Sequence, residues 1–195
     1  MQIVYRSVSA LVLAGVVALC IVASHLGEQR TGDMTAYFYE AFDVGHPGVV
    51  NAVTSMALIA VALISLILGL LTWDVPWFVN ACLFVVLAAD NLLRLHNHVP
   101  TGDVTARLVY WTLLLWLVMR LRPFRSGVLG GPLVAFGLMA LAAGELLDAS
   151  ARDQRGTAAV IEESLACIGS WALAMASVGV AVSTLARSAP APRTD

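Results

Sequence analysis

The sequence predicts an all-α integral membrane protein, a single bundle of about six transmembrane helices. Hydrophobic residues make up 59% of the 195 positions and charged residues only 12%, whereas a soluble domain carries about 25% charged residues. Apolar segments of roughly 20 residues, the length needed to cross a hydrocarbon core about 30 Å thick, recur between short polar breaks. Six spans account for them: 8–25, 49–71, 77–97, 105–121, 129–148 and 158–186, within one domain over 1–187.

The first span follows Arg6, as a signal peptide would. Its apolar run is long, however, and Ala18-Leu19-Cys20 lacks the small residue that a lipoprotein cleavage site places before Cys, so a retained helix is expected. The connection 26–48 holds Tyr37, Phe38, Tyr39, Phe42 and Pro47 among acidic residues, which suits a segment at the membrane interface. The ending SAPAPRTD, 188–195, reads as a disordered tail.

Arginine sets the orientation, because short cytoplasmic loops are enriched in basic residues. Arg120, Arg122 and Arg125 follow span four, and Arg6 and Arg187 flank the two ends of the bundle. With six spans all five lie on one side, so both termini are expected in the cytoplasm of a cell-membrane protein. The loop with Arg152 and Arg155 runs against this and is partly offset by Asp148 and Asp153.

With that topology, His25, His46, His96 and His98 fall at or near the outer helix ends, and of the 13 acidic residues only Asp74 and Asp195 fall on the inner side. A loop acid is usually just solvated. The informative acids lie inside spans, where an ionised side chain costs roughly 2.5–3.5 kcal/mol on insertion scales and therefore faces the bundle interior or a watery cavity. Asp90 lies within span three, Glu145 and Asp148 end span five, and Glu162 and Glu163 sit about one turn into span six.

On helical geometry Asp90, Arg94 and Asn97 form one polar stripe, whereas His96 points about 120° away from Asp90. One metal ion would take both only if the helix unwinds there. Glu145 and Asp148 share a face, while Glu162 and Glu163 diverge by about 100°. Two readings stand side by side: a buried ion network in which Arg94 neutralises Asp90 and a glutamate and fixes helix register, or a functional site on Asp90, Arg94, His96, Asn97, Glu145, Asp148, Glu162 and Glu163. A metal ion in that site would draw on His96, Asp90 and Glu163.

Other patterns point to structure. The net charge of −2 and the lack of a basic stripe exclude a nucleic-acid surface. No GxGxxG, Walker loop, GxSxG, HExxH or HxxxH occurs. Cys20, Cys82 and Cys167 each sit in an apolar run without metal spacing and read as small core residues. Gly130, Gly131, Gly137 and Gly144 in span five, and Gly169, Ser170, Ala174, Ser177 and Gly179 in span six, let helices approach closely. Trp73, Trp77, Trp111 and Trp116 are interface anchors or core rings.

Three stretches carry a resemblance: Phe42-Asp43-Val44-Gly45 with Asn51 and Thr54-Ser55, Asp90 with His96, and Glu162-Glu163 with Gly169. In these the chain resembles a loose group of bacterial multipass membrane proteins whose span-three pattern is Asp-Glu, four residues, His-Glu, and whose last helix carries Glu-Glu, five residues, Gly. Asn91 and Asn97 stand where the group has glutamates, and Ala166 where it often has a further charge. The resemblance implies about six helices with an acidic and histidine cluster, and no particular reaction. The loss of two carboxylates weakens a metal site.

Three functions compete. The polar cluster of spans three, five and six binds a cation, proton or small polar ligand such as a lipid headgroup, since neighbouring carboxylates trade protons. Alternatively, the chain is a structural or accessory subunit that meets a membrane protein partner or a second copy. The third reading is a metal-dependent lipid hydrolase, similar to the alkaline ceramidase superfamily, but that group's paired histidines on a late helix are missing here.

Overall fold

The computed structural model describes residues 2–39, 48–93, 109, 111–116, 130–150 and 156–188. These form helices α1 (Gln2–Thr31), α2 (Ala36–Tyr39), α3 (Val49–Thr72), α4 (Val75–Leu93), α5 (Gly131–Ser150) and α6 (Thr157–Ser188). Residues 111–116, inside the expected fourth span, are also helical. No strand occurs among the described residues. Four helices are long and apolar enough to cross a membrane, namely Ile3–Thr31, Val49–Thr72, Val75–Leu93 and Thr157–Arg187, and α5 is apolar over the shorter stretch Gly131–Leu147.

The first helix runs beyond the expected span 8–25 at both ends, from Gln2 to Thr31, with Glu28 to Arg30 as a polar last turn. It stops at Gly32, whose φ of +72° suits a residue without a Cβ. The chain then folds back sharply. A Cβ on Gly27 would lie 2.6 Å from the Asp33 carbonyl oxygen, and one on Gly48 would lie 2.5 Å from that of Phe38. Asp33 Oδ1 accepts from the Thr35 amide at 2.8 Å and from its hydroxyl at 2.7 Å, a side-chain turn that launches α2. Phe38 is consequently 0% exposed, inside a cluster with Val16, Cys20, Ala23, Val50 and Cys167. The aromatic run therefore contributes at least this ring to the core rather than to the interface; residues 40–47 lie outside the described residues.

At the far end of α3, Trp73 takes a left-handed φ of 53° and its amide closes onto the Gly69 carbonyl at 2.8 Å. The chain reverses into α4, which packs antiparallel on α3. Gly69 admits the Phe78 ring, and Asn80 Nδ2 donates to the buried Ser65 Oγ at 2.7 Å. Trp77 is buried whereas Trp73 is exposed.

The small residues of α5 and α6 fall into a strict register. A Cβ on Gly130, Gly137 or Gly144 would lie 3.2, 2.9 or 3.2 Å from the carbonyl oxygens of Ala176, Gly169 and Glu162 respectively. Each step moves seven residues up one helix and seven down the other, the signature of antiparallel helices held at close backbone approach. In lipid, where association rests on packing and hydrogen bonds, such contacts carry the interface.

The third helix is apolar outward and polar inward. Met56, Ile59, Leu63, Leu66, Ile67 and Leu70 are exposed, while Asn51, Thr54, Ser55 and Ser65 are buried. That arrangement suits a hydrocarbon solvent, in which outward side chains need only be apolar and polar groups find partners between helices. Contacts of α3 with α1, α2, α4 and α6, and of α6 with α1 and α5, make α3 and α6 the central pair. Cys20 and Cys167 are buried as expected; Cys82 is not, and lies on the outer surface of α4.

Candidate functional site

Inter-helix contacts fix which helix ends meet. Tyr5 donates to the Met175 carbonyl at 2.5 Å while Cys20 faces Cys167 and Ser164, so α1 and α6 are antiparallel. The α3/α4 and α5/α6 pairs are antiparallel as well, so the C-terminal ends of α1, α4 and α5 gather with the N-terminal ends of α3 and α6. Asp90, Glu145, Glu162 and Glu163 all belong to this end.

The best-defined part is the crossing of α3, α4 and α6. Asn91 on α4 donates through Nδ2 to the Asn51 carbonyl at 3.0 Å and to Ser55 Oγ at 2.8 Å. One turn away, Thr54 hydrogen-bonds its own helix at the Val50 carbonyl, 2.9 Å, and reaches Cys167 on α6. Deeper still, Trp171 Nε1 donates to the Val53 carbonyl at 3.2 Å, tying α6 to α3. Asn51 is 4% exposed, and its side-chain oxygen has no hydrogen-bond donor among the described residues. A buried acceptor left without a donor costs about 1–3 kcal/mol.

The four carboxylates lie at this same end of the bundle. Glu163 stands one turn before Cys167 on α6. Glu162 follows from the α5/α6 register, in which its carbonyl abuts Gly144, and Glu145 is the next residue along α5. Asp90 precedes Asn91. All four are partly buried, and each has an interaction partner. Arg94, His96 and Asn97 lie outside the described residues, and Asp148 is described only as part of α5. Among the described residues no three His, Cys, Asp or Glu side chains gather as metal ligands.

The structure adds residues that sequence reasoning did not place in the site. Asn51, Thr54 and Ser55 entered only through the resemblance, and Asn91 only as a lost carboxylate. Their signal was a run of polar residues at helical spacing inside a span. Cys20 and Cys167 carried no sequence signal of their meeting. No family model, curated protein sequence or solved structure matches the chain.

Proposed function

We propose that this protein is a six-span membrane protein whose polar cluster at the α3/α4/α6 crossing binds a cation, a proton or a small polar ligand. The observation that carries the reading is the buried side-chain oxygen of Asn51, without a donor among the described residues, on a stretch of α3 where Thr54 and Ser55 are buried too; Glu163 stands at the adjoining end of α6. Neutral oxygens with one carboxylate form a hard donor set, which suits a proton or a hard cation. Asn91 is spent as a donor to Ser55 and the Asn51 backbone, so it holds the crossing together instead of replacing a carboxylate ligand.

In this proposal the cluster faces the extracytoplasmic side of the cell membrane and both termini are cytoplasmic, with Arg122 inside and His46 outside, in line with the arginine bias. Single cysteines at these two positions, labelled from either side, test the orientation. The resemblance to bacterial multipass proteins with an acidic and histidine cluster supports the same reading, as does the convergence of four acids at one helix end.

The functional test is the melting temperature of the purified protein in detergent, titrated with sodium, potassium, magnesium or calcium ions and with acid. At least one titrant raises it for the wild type, and the rise is lost in Glu163→Gln and reduced in Asn51→Leu. Equal responses of all three proteins would reduce the cluster to scaffolding and favour the accessory-subunit reading.

A further inference from the structure

We propose that Cys20 and Cys167 form a two-thiol modification site that a small neutral peroxide closes to a disulfide, fastening α1 to α6. This goes beyond the ligand reading and stands without it.

The two sulfurs arrive from opposite ends of the chain. Both lie in one buried cluster with Val16, Ala23, Phe38 and Val50, Cys20 3% and Cys167 0% exposed. Their side chains face each other, with Ser164 beside Cys20 and Thr54 beside Cys167. Depth agrees as well: Cys20 stands 11 residues before the end of α1 and Cys167 10 residues after the start of α6, about 15 Å inward on either helix. A structural pair of small core residues does not require two sulfurs face to face among hydroxyls. Nor can a bulky protein disulfide reach this depth, whereas hydrogen peroxide is small and uncharged.

The chemistry balances with peroxide as the oxidant. The Cys20 sulfur, flanked by the Cys167 thiol and the Ser164 hydroxyl as donors, attacks one peroxide oxygen as its thiolate. The O–O bond breaks, and the departing hydroxide takes up the proton lost from Cys20 as water. Cys20 is then a sulfenic acid. The Cys167 sulfur attacks the sulfenic sulfur, the S–O bond breaks, and hydroxide leaves with the Cys167 proton as a second water. Two thiols lose two electrons and two hydrogens, and one peroxide becomes two waters. Side-chain rotation then brings the sulfurs to the S–S bond length of about 2.05 Å.

Exposed Cys82 on α4 is the internal comparison. Full-length protein in lipid vesicles is treated with hydrogen peroxide, denatured, alkylated and mapped by mass spectrometry without reductant. The expected result is a Cys20–Cys167 cross-linked peptide, a whole-protein mass lower by two hydrogens, and full reversal by dithiothreitol. Cys82→Ser leaves the cross-link intact, and Cys20→Ala abolishes it. The wild-type map alone decides the matter should a variant not fold. Recovery of Cys20 and Cys167 as alkylated thiols after Cys82 has been oxidised would overturn the proposal, as would a disulfide that includes Cys82.

Discussion

Asn91 on α4 reaches across to α3 and donates to both Ser55 Oγ, at 2.8 Å, and the Asn51 carbonyl, at 3.0 Å. One carboxamide thereby clips two helices together at the polar end. Inter-helix hydrogen bonds in membrane proteins average about 0.6 kcal/mol, so Asn91→Leu should lower unfolding stability by about 1 kcal/mol. Asn91→Asp should cost more, because a carboxylate cannot donate and adds a partly buried charge. Unfolding in mixed micelles checks both, with Leu92→Ala, an outward-facing change, as the near-neutral reference.

Gly137 and Gly169 form the tightest point of the α5/α6 contact. A Cβ on either would lie 2.9 Å from the other's carbonyl oxygen, so Gly137→Ala should force the helices apart and cost about 1–3 kcal/mol. Gly15 has nothing within 4 Å of a built Cβ. Gly15→Ala should therefore stabilise, by up to about 1 kcal/mol from helix propensity. Detergent melting of the two variants should move in opposite directions.

Tyr5 tethers the start of α1 through its bond to the Met175 carbonyl, and its ring fills the space over Gly179. Tyr5→Phe keeps the ring and removes the bond. Hydrogen–deuterium exchange should rise in the first turns of α1 and remain unchanged around Cys20. A uniform rise along α1 would mean that the helix docks as one unit and that the tether has no local role.

The sequence makes the membrane class legible through long apolar runs, and of the small residues expected to let helices approach, Gly130, Gly137, Gly144 and Gly169 do so. What no single helix reveals is register. That Gly130, Gly137 and Gly144 oppose Ala176, Gly169 and Glu162 depends on how two helices slide against each other. Helical periodicity grouped Asp90 with its own neighbours, yet Asn91, one residue on and about 100° round the helix, makes the cross-helix bonds. Cys20 and Cys167 looked like unrelated core residues because their meeting is a property of topology alone. Phe38 looked interfacial because its neighbours are polar, and it is buried because Gly27 and Gly48 let the chain fold back over α1.

The account rests on the crossing of α3 and α6 at Thr54 and Cys167. Its most direct measurement is disulfide trapping in protein carrying Cys20→Ala and Cys82→Ala, which leaves Cys167 as the single native thiol. Thr54→Cys in that background should cross-link to Cys167 under mild oxidation, and Met56→Cys, on the outer surface of α3, should not. Efficient cross-linking of Met56→Cys with none for Thr54→Cys would contradict the packing on which the polar cluster depends.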